Sequence, residues 1–367
     1  MSRLVLEVSA VGTVMIGTLQ MSYSPQIYCY ASPKVALHLL KKLRVAHKSR
    51  DLLFPRKPLP REEISCVDIK SDSVSSLICF HNSGAIKNHY EMIKQFKGVP
   101  GVKPDRFAEG FSIKHCALSL VGEPIMYPEI NKFCTMLHEK GISSFLVTNA
   151  QFPDAIKSLV PVTQLYVSVD AGTKESLKKI DRPLFKDFWP RFIDSLKALS
   201  DKGQRTVYRL TVVKAWNSDE IEAYAKLVQL GRPDFIEIKG VTFCGDSKSD
   251  DGLTMKNVPW HEEVRHFVSM LVDMLDDYAI ACEHEHSNCV LVAQNKFRSA
   301  DGGGWRTWIN YEKFHQLYQK WETTGETFNS MDYMDDTPSW ALVDSKERGF
   351  DPAETRWRRK TKVTQGC

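Results

Sequence analysis

A chain of 367 residues with 43% hydrophobic and 26% charged residues has the composition of a soluble globular protein, long enough to bury a sizeable core without disulfide or metal staples. Its net charge of +4 is spread over mixed signs, which permits nucleic acid as a partner without arguing for one, and no apolar stretch reaches the ~18 residues of a membrane span. Nine cysteines at irregular spacing, an odd number, exclude a disulfide framework and predict reduced thiols in a cytoplasmic protein.

Residues 1–84 read as a separate, poorly ordered segment. Residues 4–19 are moderately apolar behind Arg3, but Glu7 interrupts what would be the apolar core of a signal peptide, so an ordinary N-terminal segment is expected. Leu37, Leu39, Leu40 and Leu43 allow one short amphipathic helix, residues 54–61 form a basic, Pro-rich linker, and residues 77–80 are a brief apolar run.

The texture changes at Ala85. Ile86, Tyr90, Ile93 and Phe96 share a helical face that the Gly98–Pro100–Gly101 region ends. Residues 115–120 are an apolar run of strand type, broken by Val121-Gly122-Glu123-Pro124. A helix follows with Ile130, Phe133, Met136 and Leu137 on one face, ended by Gly141, and residues 144–148 are a second strand. The alternation continues: a short helix from Pro153, a strand over 165–170, a helix capped by Thr173, a helix over 187–200, a strand over 207–213, a helix over 219–230 and a strand over 235–238. A helix over 262–275 and a strand over 279–282 complete the series. Strands alternating with helices predict a parallel α/β fold, and Glu123, Asn149, Asp170, Lys214 and Lys239 fall at strand carboxyl ends, where such folds hold ligands.

Together with that pattern, Val121-Gly122-Glu123-Pro124, Val167-Ser168-Val169-Asp170-Ala171, the run from Lys178 to Pro183, the run from Phe235 to Val241, the block from Glu283 to Cys289 and the closing block from Glu347 to Pro352 resemble the radical S-adenosylmethionine (SAM) domain of the tRNA 4-demethylwyosine synthases. The resemblance covers residues 85–367. It implies a partial (β/α)6 barrel lacking its first strand over residues 85–300, with a C-terminal cap and basic tail over 301–367. It implies an enzyme that condenses N1-methylguanosine-37 of tRNA-Phe with a two-carbon unit from pyruvate, with SAM and a 4Fe-4S cluster as cofactors and, in full-length eukaryotic members, FMN. Gly122 and Glu123 then hold the amino group of SAM's methionine part, Ser168 and Asp170 lie by its ribose and carboxylate, and Asn149 is a further contact. Lys178, Lys179 and Lys214 are alternatives for a Schiff-base lysine, which needs burial or nearby cations to free its amine. Arg356, Arg358, Arg359 and Lys360 are placed to meet tRNA phosphates.

The sequence departs from the family in two respects. The Cys-x3-Cys-x2-Cys triplet that holds the cluster is absent, the nearest pair, Cys282 and Cys289, being seven residues apart, and so is a flavodoxin-like domain. A chain without cluster cysteines is expected to be a truncated or inactive relative that at most binds SAM or tRNA. Without a first strand, the sheet is expected to leave an edge open beside Val121, with residues 77–80 as its only local candidate to pair. The block from Cys282 to Cys289 fits no standard zinc spacing and reads as a packed or substrate-facing loop. Trp305, Trp308, Tyr311 and Phe314 read as an apolar cap on the barrel.

Overall fold

The computed structural model describes residues 84–119, 122–243, 253–300 and 303–352, together with the backbone of three short strands, β1 (Leu4–Val8), β2 (Val14–Thr18) and β3 (Tyr28–Tyr30). β1 and β2 pair antiparallel as a ribbon of their own. The main sheet has eight strands in the order β3-β4-β5-β6-β7-β8-β10-β9. Its centre is parallel: β4 (His115–Leu118), β5 (Ser143–Thr148), β6 (Gln164–Ser168), β7 (Arg205–Val212) and β8 (Phe235–Gly240) each lie beside the next in sequence order. Each crossover is helical, as parallel neighbours require. The helices are Ile130–Glu139, Pro153–Ser158, Lys174–Asp181 with Phe188–Ser200, and Ile221–Gly231.

Three features differ from the sequence expectation. The edge of β4 is not left open: β3 pairs with it antiparallel, Cys29 opposite Cys116, whereas residues 77–80 lie outside the described residues. A short helix, Pro104–Glu109, precedes β4, started by a proline in its first turn. After β9 (Tyr278–His284) the chain turns back on itself through residues 285–288, and β10 (Cys289–Gln294) inserts antiparallel between β8 and β9. A link this short makes a hairpin and cannot make a parallel crossover.

Side-chain alternation along the strands divides the core in two. Leu146, Leu165, Val167, Tyr208, Leu210, Ile236 and Ile238 face the helical layer, where Phe133, Leu137, Phe192, Leu196, Val228 and Phe267 cover them. Each such side chain contributes roughly 1.5–3 kcal/mol by leaving water. The other face carries Phe145, Tyr166, Val207 and Phe235, all near the strands' amino ends, and the chain's last described third fills it with Phe297, Trp305, Ile309, Phe314, Tyr318, Tyr333 and Met334. Tyr333 stitches this plug to the sheet, accepting the Arg205 backbone N–H at 2.7 Å and donating to the Thr163 carbonyl at 2.9 Å. The expected apolar cap is therefore a plug at the amino ends. Trp305 and Phe314 are within it and Tyr311 packs against it, but Trp308 stays 36% exposed, edge-on to Trp340.

Plugging the amino ends leaves the carboxyl ends of β4–β8 as the place where polar side chains collect. Among the described residues no helix is long and apolar enough to cross a membrane.

Candidate functional site

Glu123 stands where the first parallel strand ends. Gly122 takes φ +71, a left-handed conformation that a side chain would strain, and this turn carries the chain off the sheet into a short 3-10 turn, Pro124–Met126. The carboxylate reaches across to the next loop, where its Oε2 accepts the Asn149 backbone N–H at 2.8 Å. Oε1 is buried with no hydrogen-bond partner. Burial raises the Glu123 carboxyl above its ordinary value, against the opposing pull of the Asn149 N–H, the Thr148 hydroxyl and the Ile125 N–H. An unpaired, desolvated carboxylate oxygen costs roughly 1–3 kcal/mol or more, and an incoming cation would relieve that cost.

The adjoining loop is itself strained. Ala150, fully buried, holds φ 59, a conformation costing a non-glycine residue roughly 1–2 kcal/mol. Asn149, just before it, presents its side chain to solvent.

The loop after β6 is clamped by two residues that sequence reading did not single out. Glu220 accepts the Gly172 N–H at 2.8 Å and the Thr173 hydroxyl at 3.0 Å, and also takes the Ser176 hydroxyl. Buried Asn217 donates to the carbonyls of Asp170 and Thr211, both at 2.8 Å, and accepts the Val213 N–H at 2.8 Å. Ser168 and Asp170, both half-buried, are thus held at a fixed place on the mouth. Asp181, at the end of the Lys174–Asp181 helix, is drawn toward Asp170: burial first, and then the Asp170 charge, push its carboxyl up to about 7. Two facing acids that resist ionising together suit a site that receives hydroxyls or a cation.

The lysines separate. Lys178 and Lys179 are exposed on the Lys174–Asp181 helix. Lys214 is held at 2.6 Å by Glu263, in the first turn of the His261–Val272 helix. Lys239, by contrast, is only 8% exposed at the end of β8, on the strand face that carries Phe235 and Glu237. Below it, Glu237 accepts the Tyr166 hydroxyl at 2.9 Å, and its register neighbour is Arg209 of β7. Arg356, Arg358, Arg359 and Lys360 lie outside the described residues.

Glu123's orphaned oxygen and the clamped Ser168–Asp170 strand end fit the ammonium and hydroxyls of SAM. The residues do not fit an iron-sulfur cluster. The four described cysteines, Cys116, Cys134, Cys282 and Cys289, are buried and not disulfide-bonded, and among the described residues no three Cys, His, Asp or Glu side chains gather as metal ligands. Burial pushes the Cys134 thiol up to about 12 and the Cys282 thiol to about 11, the opposite of the thiolate a metal needs. Cys282 and Cys289 sit on β9 and β10, inside the sheet, with Cys289 opposite His284.

Residues 105–228 match the radical SAM superfamily model and residues 230–294 the wyosine base formation model. Over 287 residues, 77% of this chain, it is 67% identical to the S-adenosyl-L-methionine-dependent tRNA 4-demethylwyosine synthases TYW1 of Danio rerio and Homo sapiens. It is 61% identical over 280 residues to that of Oryza sativa subsp. japonica. The chain spans about two fifths of these relatives' length, 39% of the animal proteins and 42% of the rice one. A solved structure of TYW1 with a lysine-pyruvate adduct bound superposes with a TM-score of 0.53 at 28% identity, over 59% of this chain and 68% of that one. The crystal structure of archaeal TYW1 gives 0.50 at 25% identity, over 64% and 74%.

Proposed function

Residues 105–228 and 230–294 carry the radical SAM and wyosine-base-formation regions of the tRNA 4-demethylwyosine synthases, and from that premise we propose that this chain binds SAM at the carboxyl-end mouth of its barrel and serves 4-demethylwyosine formation on tRNA. The observation that carries the reading is Glu123, whose buried Oε1 is unpaired and whose other oxygen is fixed by Asn149.

In this reading Glu123 receives the methionine ammonium of SAM, with Gly122 letting the backbone approach. Ser168 and Asp170 take the ribose and carboxylate side, and the exposed Asn149 closes over the ligand. SAM held there by Glu123, Ser168 and Asp170 would supply, given one electron from a donor other than these residues, the hydrogen-abstracting radical chemistry of the superfamily. The chain's own residues hold and orient SAM. Because they do not fit a cluster, no electron step is assigned to them. Residues 85–300 hold SAM and the base, while the segment from 301 braces the barrel, and Arg356, Arg358, Arg359 and Lys360 meet phosphates of tRNA-Phe. Pyruvate provides the two-carbon unit, with Lys178, Lys179 and Lys214 as the sequence-level candidates for an imine. Of these, Lys214 is the one already committed to an ion pair.

The absence of a Cys-x3-Cys-x2-Cys triplet from all 367 residues favours a second reading, in which this chain binds SAM or tRNA without turnover. The test is anaerobic incubation of the chain with iron and sulfide, reductant, SAM, pyruvate and tRNA-Phe carrying N1-methylguanosine-37. Nucleoside mass spectrometry, with dialysis of labelled SAM and tRNA beside it, then decides: 4-demethylwyosine supports synthase activity, binding of SAM or tRNA with no product supports the second reading, and binding of neither removes both.

A further inference from the structure

The helix Tyr311–Thr324 covers the amino end of the barrel through Phe314 and Tyr318, and three histidines meet at its seat. His115 opens β4, its ring centre 4.4 Å from that of Tyr311. His138 lies in the last turn of the helix Ile130–Glu139, its ring 4.3 Å from that of Tyr318. His315 belongs to the seated helix itself, 6.1 Å from His138. The first two residues of β5 hold two of the rings: His115 Nδ1 lies 2.7 Å from Ser143 Oγ, and His138 Nε2 lies 2.8 Å from Ser144 Oγ. Nδ1 of His138 and Nδ1 of His315 are buried with no hydrogen-bond partner. A neutral imidazole can leave one nitrogen bare, whereas the imidazolium would bury a charge and an unpaired N–H there.

We propose that the helix Tyr311–Thr324 is an acid-released latch: protonation of the histidines at its seat lifts it from the amino end of the barrel while the mouth stays folded. This goes beyond the function proposed above and does not rest on it. The charges that bear on the three rings are Lys114 and one another, all of the sign that opposes protonation. The carboxylates of the two helices, Glu139 and Glu322, bear on Tyr318 instead, as does the Cys134 thiol, and Arg205 bears on Tyr311. Burial first, and then those like charges, push His115 down to about 4 and His138 to about 3, and lower His315 as well. Once exposed, each ring takes a proton near its ordinary value of about 6.5. The seat therefore contributes its full stability above about pH 6.5 and loses it as pH falls toward 4. Asp181, at the mouth, responds with the opposite sign, since its raised carboxyl favours the folded state in acid.

The test is amide exchange by mass spectrometry on the full 367-residue chain between pH 7.5 and pH 5, corrected for the pH dependence of chemical exchange. The unaltered protein, His138→Gln and His315→Gln are compared. Each ring freed to titrate favours the lifted helix roughly thirtyfold at pH 5, so two or more should raise its opening constant at least about a hundredfold. Either variant should cut that rise roughly tenfold, and the helix Phe188–Ser200 should keep its protection throughout. His315→Gln replaces a half-buried ring and decides by itself if His138→Gln does not fold. An opening constant indifferent to pH, or a rise that His315→Gln leaves unchanged, overturns the proposal. So does loss of protection in step with Phe188–Ser200, which would make the acid response a global unfolding.

Discussion

The Oε2 of Glu123 accepts the backbone N–H of Asn149 at 2.8 Å, locking the loop after β4 to the loop after β5. One carboxylate oxygen is thereby spent on architecture and the other is left facing the mouth, buried and unpaired.

Replacing Glu123 by Gln keeps an acceptor for Asn149 but removes the charge. SAM affinity is expected to fall roughly 10- to 100-fold, the value of a charge-assisted bond at about 1.5–3 kcal/mol. Thermal stability in the absence of ligand should hold or rise, because a desolvated carboxylate is replaced by a neutral amide. Calorimetry and a melting curve on the same sample measure both.

Asp181 gives a pH prediction. Burial and the Asp170 charge push its carboxyl up to about 7, above the unfolded value of about 3.9, so the folded state holds the proton more tightly. Its contribution to stability is complete below about pH 4 and is lost as pH rises through 7. Asp181→Asn should therefore flatten the fall in melting temperature between pH 5 and pH 8, and an unchanged pH slope would refute the raised Asp181 carboxyl.

Much of the barrel was legible because β4 to β8 are largely apolar runs broken after their carboxyl ends by glycine or polar residues: Gly122-Glu123-Pro124, Asn149, Asp170, Lys214 and Gly240. The same punctuation exposed Glu123, since an acid directly after a strand has few places to go. β10 was not legible: Cys289–Gln294 is a plain apolar run, and its antiparallel insertion depends on the short turn before it rather than on its own residues. β3, three residues long, offers no period at all. Glu220 was missed because its partners lie 44 to 48 residues earlier in the chain, and Asn217 because the partner that ties it to the site, Asp170, lies 47 residues earlier, beyond any local spacing rule. Lys239 could be placed at a strand end, but a lysine there reads as solvated until the fold buries it.

Glu220 is predicted to act on the site only through the loop it clamps. Glu220→Ala should speed amide exchange at Gly172 and Ser176 and weaken SAM about five- to tenfold, while Glu220→Gln, keeping one acceptor, should fall between. Hydrogen exchange by mass spectrometry distinguishes this from general destabilisation, because the helix Phe188–Ser200 should keep its protection.

Tyr333→Phe tests the plug. The hydroxyl satisfies the Arg205 N–H and the Thr163 carbonyl, both inside the protein, and losing it leaves two buried groups unpaired. The cost is expected to be roughly 2–4 kcal/mol, read as a lower urea midpoint with an unchanged slope. SAM affinity of the folded protein should not change, since the plug and the mouth occupy opposite ends of the strands.

The most direct measurement is equilibrium dialysis of labelled SAM against the unaltered 367-residue chain. A mouth built around Glu123 predicts saturable binding of one SAM per chain, without iron or reductant. No saturable binding would contradict it.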